Sequence, residues 1–177
     1  ILSCLVGSEM CIRDRDAAVL QQLRRLRPDW RLVMSSMVSP GFLSLLLGDG
    51  GIEQRPCRWD VGMVQADALG SDPSATLIAL AELDARLPEQ IQSEVSWLRE
   101  QGLPVLILGD IPPAAALLAE ALDAPLVWMS NFGWDAIYRP FGGRFELMAE
   151  RAQAAYRCGQ LLLRCPFDLA MDWGLPE

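Results

Sequence analysis

Apolar residues recur every three or four positions in several stretches of the chain, which is the spacing of one helix face. In the stretch 16–27, arginine and glutamine separate the leucines and Pro28 comes next, so the pattern predicts an amphipathic helix that ends before the proline. The stretch 74–101 predicts a long helix, capped by Asp72 at its start and bent or divided by Pro88. Further helices are predicted at 42–47, 112–122 and 144–157.

Shorter runs are apolar at almost every position. They lie at 32–38, 61–64, 104–108, 126–129 and 160–164. Strands that are apolar along their whole length are buried on both faces, as in a parallel sheet covered by helices. Because these runs alternate with the predicted helices, the sequence predicts an α/β fold: a Rossmann-like parallel sheet with helices on both faces. The glycines at 48–51 lack the spacing of a phosphate-binding loop and predict a plain turn.

Composition limits the number of domains and the classes of partner. A chain of 177 residues with 51% hydrophobic content can bury one core, so we expect one domain. A net charge of −8 argues against nucleic acid as a partner, because phosphate binding needs a cationic face. No apolar run reaches the roughly 18 residues of a membrane span, so we expect no membrane span and a cytoplasmic location.

The cysteine and histidine counts bear on metal and acid–base chemistry. The chain has five cysteines and no histidine. The cysteines are far apart and form no C-x-x-C pair, so they predict reduced thiols and no zinc site. Without histidine the chain lacks the usual general base at neutral pH and the commonest metal ligand. The sequence therefore predicts neither a metal site nor a cofactor.

Residues 1–15, ILSCLVGSEMCIRDR, differ in character from the rest of the chain. They begin without methionine and lack the basic region and cleavage site of a secretory signal. Their text resembles a translated sequencing-adapter tail, found at the ends of unrelated proteins predicted from assembled environmental (metagenomic) DNA. We expect residues 1–15 to be a non-native tail and the native chain to start near Asp16. The alternative is that 2–6 form a genuine first strand.

Three polar clusters come directly after the predicted strands 61–64, 104–108 and 126–129. The clusters are Gln65-Ala66-Asp67, Gly109-Asp110-Ile111-Pro112-Pro113 and Ser130-Asn131-Phe132-Gly133-Trp134-Asp135. Ligands of open parallel sheets bind outside the carboxyl ends of the strands, so we expect the three clusters to converge at one edge. For Asp110 there are two interpretations, an N-cap of the next helix or a ligand contact near the helix N-terminus.

The third cluster combines aromatic rings with carboxylate and amide groups. Trp134, Asp135 and Tyr138 come together beside a predicted strand end. Aromatic faces stack on sugar rings, and carboxylate and amide groups bind their hydroxyls. The alternative is that Phe132 and Trp134 fill the core while Asn131 and Asp135 satisfy backbone groups of a turn. The residue types leave both interpretations open.

The segment 60–143 resembles the N-terminal glycosyltransferase-like domain that is fused to the sugar kinase in L-arabinokinases. It is equally similar to stand-alone bacterial proteins described as predicted glycosyltransferases. Three motifs in the same order carry the resemblance: DVGMVQADAL at 60–69, GDIPP at 109–113 and SNFGWDAIY at 130–138. The resemblance covers most of 16–177 and does not extend to kinase activity, because the chain has no trace of a kinase domain.

The resemblance implies a GT-B architecture, in which two Rossmann-like domains face a cleft. The N-terminal domain takes the acceptor, and the C-terminal domain takes the nucleotide-sugar donor. Such enzymes need no bound metal, because helix dipoles and basic groups of the second domain offset the charge of the departing diphosphate. The residues implied on the acceptor side are Gln65, Asp67, Asp110, Asn131, Trp134, Asp135 and Tyr138.

The resemblance also implies an opening strand followed by a Gly-His-Gly loop, and we expect neither of them in this sequence. The catalytic residue is therefore unknown. We expect a fragment, truncated at both ends, of a nucleotide-sugar-dependent glycosyltransferase that glycosylates a small-molecule or glycan hydroxyl. Alone it would be inactive, and 16–177 would aggregate because its sheet lacks the first strand. The alternatives are a non-catalytic sugar-binding or regulatory domain of the same fold, and an unrelated Rossmann-like domain whose motifs serve packing.

Overall fold

The computed structural model describes the backbone at 2–7 and residues 15–48, 52–67 and 70–177, leaving out the side chains of 2–7 and 46. The strands are β1 Leu2–Gly7, β2 Arg31–Ser35, β3 Ile52–Arg55, β4 Val105–Asp110, β5 Leu126–Ser130 and β6 Leu161–Arg164. The helices are α1 Arg15–Leu26, α2 Pro40–Leu47, α3 Pro73–Glu100, α4 Ala114–Leu122, α5 Trp134–Tyr138 and α6 Arg144–Tyr156. A 3-10 turn, Arg139–Phe141, joins the last two helices.

The six strands form one parallel sheet in the order β3-β2-β1-β4-β5-β6. The chain therefore builds outward from β1 to β3, returns to the centre, and builds outward again from β4 to β6. The strand order reverses between β1 and β4, and such a switch point opens a crevice for ligands at the carboxyl edge. The predicted α/β fold with a Rossmann-like parallel sheet is confirmed.

Side chains of each strand alternate between two helix-covered faces. On one face Val33, Ile107 and Trp128 pack in the core beneath α3, α4 and α6. On the other face their neighbours Met34 and Leu108 pack in a second core with residues of α1 and α2. The sheet is thus buried on both sides, which explains why its strands are apolar at nearly every position.

The predicted helices are confirmed, and side-chain caps explain where α2 and α3 start. The Asp72 carboxylate accepts a hydrogen bond from the backbone N–H of Ala75 at 2.9 Å, with Pro73 in the first turn of α3. Ser39 caps α2 in the same way, ahead of Pro40. The helix α3 runs through Pro88 as a single helix, so the prediction that this proline divides it is wrong.

Two strand predictions differ from the structure. The predicted strand 61–64 is wrong. The backbone of Val64 instead bonds to the start of α3: its N–H donates to the Thr76 hydroxyl, and its carbonyl accepts from the N–H of Asp72. Gly62, at φ 70°, turns the chain within the same segment. The strand β3 was not predicted, because Glu53 and Gln54 interrupt its apolar pattern at the edge of the sheet.

The segment Leu2–Gly7 occupies the centre of the sheet. Leu2 lies opposite Arg31 of β2 and Val105 of β4. A strand therefore stands where the resemblance places the first strand, so the expectation that the chain has no opening strand is wrong. Whether residues 1–15 are native stays a prediction. The predicted turn at 48–51 lies, apart from Gly48, outside the described residues. No helix in the described part of the chain is long and apolar enough to cross a membrane.

Candidate functional site

The strand β4 ends in a buried carboxyl group beside the switch point. Gly109 and Asp110 are the last two residues of β4, so the prediction that they come after the strand is wrong. The N-cap position of α4 is Pro113, without a side-chain hydrogen bond, so the N-cap interpretation of Asp110 is also wrong. The Asp110 side chain is fully buried, and its role must be explained by its contacts.

Arg15 brings two of the predicted site residues together. It is the first residue of α1, and its Nε donates to Oδ2 of Asp110 at 3.2 Å. Its Nη2 forms an ion pair with Oδ1 of the same carboxylate, and its Nη1 donates to Oδ1 of Asn131 at 3.1 Å. Asp110 at the end of β4 and Asn131 just after β5 thus bind one guanidinium group.

Asp16 adds a second buried carboxyl group at this point. Its side chain is fully buried, and its oxygens receive no hydrogen bond from an N–H or hydroxyl group of the described residues. The carboxyl group of Asp110 lies close enough for its charge to act on Asp16. When two desolvated carboxyl groups are neighbours, burial and mutual repulsion favour a state in which one of them carries a proton.

Desolvation and the negative charge of Asp110 raise the pKa of Asp16 well above its ordinary value. Desolvation also raises the pKa of Asp110, although the hydrogen bond from Asp16 and the charge of Arg15 act in the opposite direction. The arrangement therefore assigns the proton to Asp16 and the negative charge to Asp110. The result is an Asp16–Asp110–Arg15 cluster at the switch point.

The aromatic residues of the third cluster are core residues. Trp134 begins α5, and its Nε1 donates to Oδ2 of Asp60 at 3.0 Å. Its ring stacks on Tyr138, with centroids 5.5 Å apart, and both side chains are 4% exposed. Burial and the nearby charge of Asp60 raise the pKa of Tyr138. Most of the surface of these two rings is therefore buried against protein, which the core-filling interpretation expected for Trp134.

Asp135 is buried beside these rings. Its Oδ2 accepts a hydrogen bond from Nε1 of Trp173 at 3.3 Å, and its Oδ1 has no partner within the described part of the chain. Desolvation raises the pKa of this carboxyl group, and the hydrogen bond from Trp173 opposes that shift. A Cβ atom at Gly133 would lie 2.2 Å from Oδ1, so the turn before α5 requires glycine.

Tyr156 joins the second and third clusters. Its hydroxyl donates to the backbone carbonyl of Ile111 at 2.8 Å and accepts from the backbone N–H of Trp134 at 3.1 Å. The loops after β4 and β5 are therefore held side by side at the carboxyl edge. The expected convergence of these two clusters agrees with this geometry.

The first cluster stands apart from this network. Gln65 and Asp67 are exposed, in a turn where Gln65 bridges to Ser71 and Asp67 accepts from the N–H of Gly70 at 2.8 Å. Because 61–64 is not a strand, these residues do not come after a strand end. The preceding segment reaches the carboxyl edge, since Trp59 Nε1 donates to Oγ of Ser35 at 2.9 Å.

An apolar groove opens on the helical face of the domain. Its volume is about 1070 Å³, and α3, α4 and α6 line it, with Leu83, Leu87 and Met148 among the apolar residues. Trp134 and Tyr138 are also among its lining residues. These two predicted site residues thus face the groove, whereas Asp110 and Asn131 bind Arg15.

Sequence reasoning missed Arg15, Asp16 and Asp60. Arg15 and Asp16 lie at the predicted junction between the tail and the native chain. In the sequence, Asp16 is an acidic residue at the start of an amphipathic helix, a pattern that usually indicates an exposed first turn. Asp60 was placed in the first motif, but its contact with Trp134 joins positions 74 apart in the chain. Within the described residues, no group of three or more potential metal ligands lies together.

Comparisons with known proteins agree with this architecture. No protein-family model matches the chain. L-arabinokinase from Arabidopsis thaliana is 36% identical over 84 residues, which is 46% of this chain and 8% of that protein.

Two glycosyltransferases of known structure have a similar fold. UGT89C1 from Arabidopsis thaliana, solved with UDP, has a TM-score of 0.57 at 12% identity and covers 90% of this chain. It has also been solved with UDP-L-rhamnose and with quercetin. UGT73P12 from Glycyrrhiza uralensis, solved with glycyrrhetinic acid 3-O-monoglucuronide, has a TM-score of 0.51 at 12% identity and covers 92% of this chain.

The chain spans 44% of the length of UGT89C1 and 43% of that of UGT73P12. Both proteins are GT-B glycosyltransferases. The shared architecture, with the weaker match to L-arabinokinase, gives this chain a GT-B-like, Rossmann-like α/β fold.

Proposed function

We propose that the chain is the acceptor-side domain of a nucleotide-sugar-dependent glycosyltransferase. The observation that carries the proposal is the meeting of Asp110 and Asn131 at the switch point of a GT-B-like sheet. In such sheets the carboxyl edge binds the ligand. Carboxylate and amide oxygens there accept hydrogen bonds from hydroxyl groups, which is the chemistry an acceptor alcohol presents.

We assign the donor to a C-terminal domain outside 1–177. The support is that similar proteins extend over more than twice the length of this chain, and that one of them has been solved with UDP-L-rhamnose. The same protein has been solved with quercetin, a polyhydroxylated compound, which supports a hydroxyl group as the acceptor. Under this proposal, 16–177 is one domain of a cytoplasmic enzyme, residues 1–15 are a non-native tail, and the chain alone has no transferase activity.

The predicted site residues take different roles in the proposal. Asp110 and Asn131 are proposed to bind the acceptor hydroxyls in the native protein, at the oxygens that Arg15 occupies in this chain. Gln65 and Asp67 are proposed to contact the acceptor from their exposed turn, which lies outside the Asp110–Asn131 network. The three residues of α5, Trp134, Asp135 and Tyr138, form the buried wall behind the loop after β5.

In the native protein, the base is proposed to lie in the Gly-His-Gly loop that the resemblance places between the first strand and α1, a loop that this sequence lacks. Arg15, the first residue of α1, reaches the Asp110 carboxylate. A base carried at the same place would be oriented by that carboxylate, which would also stabilise the protonated base. Asp110 is therefore proposed to position the base, in addition to binding the acceptor.

The test uses the uninterrupted reading frame that contains this segment. The purified product is incubated with a panel of nucleotide-sugars and hydroxyl acceptors, and transfer is monitored by mass spectrometry. Transfer is expected, and Asp110→Asn should reduce it by about 100-fold or more, the contribution of a positioned acid–base group. Asp172→Asn, which changes an exposed carboxylate, is the matched control.

Two results would count against the enzyme. If no donor in the panel is hydrolysed or transferred, the transferase proposal fails. If the product binds a sugar without turnover and its true N-terminus lacks the Gly-His-Gly loop, the non-catalytic sugar-binding domain replaces it.

A further inference from the structure

The cluster at the switch point presents hydrogen-bond acceptors. Asp110 offers both carboxylate oxygens, and Asn131 offers its Oδ1. Asp16 stands behind Asp110, fully buried and without a donor partner among the described residues. A buried pocket built from acceptors favours a group that carries several N–H donors and a positive charge.

Arg15 shows how such a group binds. Three of its nitrogens are used, two on Asp110 and one on Asn131. Its side chain is 23% exposed, whereas that of Asp110 is fully buried, so the guanidinium covers the pocket from the solvent side. A buried carboxylate that loses its cationic partner is strongly destabilised, so the pocket needs a cation.

The receptor and its occupant come from different parts of the chain. Asp16, Asp110 and Asn131 lie within 16–177, and Arg15 lies within the segment 1–15 that we predict to be non-native. If that prediction holds, Arg15 is a stand-in for another cation. The acceptor groups remain in place whichever cation fills them.

We propose that Asp16, Asp110 and Asn131 form a receptor for a cationic nitrogen group with several N–H donors, and that Arg15 fills it in this chain. In the native protein, the cationic group belongs either to a side chain of the same polypeptide or to an amino-bearing or guanidino-bearing ligand. The proposal goes beyond sugar transfer and stands whether or not the chain takes part in transfer.

Cation binding should be linked to proton release. The charged and titratable groups facing the pair are Arg15 on α1 and the thiol of Cys165, just after β6. Without a cation, the two desolvated carboxyl groups hold protons more tightly, because burial disfavours their ionised forms. A cation favours the ionised form of Asp110, so its affinity for the pocket should rise with pH.

The experiment measures thermal unfolding of the full chain carrying Arg15→Gln, which keeps part of the methylene stem and loses the charge. Methylguanidinium chloride is compared with NaCl at equal ionic strength, at about pH 5 and about pH 8. The controls are Arg31→Gln, which leaves the surface carboxylate of Glu53 without its partner, and Arg15→Gln with Asp110→Asn. The wild-type chain is a fourth arm.

We expect methylguanidinium to raise the Tm of Arg15→Gln more than NaCl does. The excess should grow with concentration and be larger at the higher pH. Both controls should show no excess. An excess in the wild-type chain would identify a soluble ligand that displaces Arg15, and its absence there would identify a side chain as the occupant.

An equal response of all variants would overturn the proposal, because it would show general salt effects. An excess that does not depend on pH would contradict the proton linkage. If Arg15→Gln does not fold in NaCl, recovery of a cooperative transition in methylguanidinium supports the receptor, and failure in both salts contradicts it.

Discussion

Two buried carboxyl groups, those of Asp16 and Asp110, meet at the carboxyl edge of the sheet. Burial and their mutual repulsion favour a proton on one of the two groups, and this makes stability depend on pH. The sequence contains both residues, but it does not show that β4 and the start of α1 place them in contact. Sequence reasoning found Asp110 and Asn131 because each lies at the end of an apolar strand. It missed Asp16, because only the three-dimensional fold buries the first turn of α1.

Asp16→Asn is expected to stabilise the protein at neutral and basic pH. The pKa of Asp16 is raised in the folded state, so between its ordinary value and that raised pKa the folded chain binds more protons than the unfolded chain. Stability therefore falls as pH rises through this window. Asparagine can donate to Asp110 and does not ionise. At about pH 8 the free energy of unfolding of the variant should therefore be about 1–3 kcal/mol higher, because the variant avoids the penalty of a poorly satisfied buried polar group.

The measurement is Tm from about pH 5 to about pH 8, where each kcal/mol corresponds to about 2–4 °C for a domain of this size. The wild-type Tm should decrease across this range more steeply than that of Asp16→Asn. Asp172→Asn, at an exposed position, should keep the wild-type slope. Parallel curves for all three chains would show that Asp16 holds no extra proton.

Gly109→Ala is expected to destabilise the core. A Cβ atom at this position would lie 2.5 Å from Cζ3 of Trp128, whose buried ring also packs against Gly159. Forcing that contact should cost about 1–3 kcal/mol by overpacking. Gly41→Ala is the matched control: it has nothing within 4 Å of the added atom and lies in α2, where alanine is favoured by about 0.5–1 kcal/mol. Urea unfolding of both variants checks the prediction, and equal stabilities would contradict it.

At the scale of elements, the long helix α3 contains a proline in its interior. Pro88 removes one backbone hydrogen bond and crowds the carbonyl of Asp84, yet the helix runs unbroken through it. The packing of Leu83, Leu87 and Leu98 in the core offsets this local penalty. Tertiary burial therefore overrides the local signal, and of the predicted bend or division at this residue the division is wrong.

Pro88→Ala is expected to raise stability by about 1–3 kcal/mol, because alanine restores the missing hydrogen bond and has the highest helix propensity. The residue is exposed, so little core packing is lost. Pro73→Ala is the control, since a proline in the first turn of the same helix is well tolerated. Urea denaturation midpoints compare the two. A loss of stability in Pro88→Ala would show that the proline fits a bend that the helix needs.

The strand assignments show the limit of periodicity. Apolar runs identified β2, β4 and β5 because these strands are largely buried on both faces, and they identified the edge strand β6 from its three leucines. The run 61–64 is equally apolar, but its residues Val61 and Met63 pack against the core without joining the sheet. The edge strand β3 carries Glu53 and Gln54 and has no apolar run to detect. Burial can thus be predicted from the pattern, whereas membership of the sheet depends on backbone pairing.

At the scale of the whole molecule, the sheet depends on its central strand. β1 pairs with β2 on one side and with β4 on the other, so it joins the two halves of the fold. Its sequence belongs to the segment 1–15 that we predict to be a non-native tail. The three-dimensional structure defines the place of this strand, and the origin of its residues is a separate question that sequencing of the parent gene can answer.

The chain 16–177 is expected to aggregate on expression. Without β1, the facing edges of β2 and β4 would have unpaired backbone groups, which template association between chains. Size-exclusion chromatography and thermal unfolding of 16–177 should show large species without a cooperative transition, whereas the full chain 1–177 should be monodisperse. A monodisperse 16–177 with a cooperative transition would show that β1 is dispensable.

The central claim is that the carboxyl edge around Asp110 and Asn131 binds an acceptor while the donor binds elsewhere. The most direct measurement is an NMR titration of the isotope-labelled chain 1–177 with methyl glycosides and, separately, with UDP. We predict saturable shifts of the Asn131 side-chain amide and the Ile111 backbone with a glycoside, none of comparable size with UDP, and loss of the response in Asp110→Asn. Saturable binding of UDP at this edge, or glycoside shifts confined to residues away from it, would contradict the account.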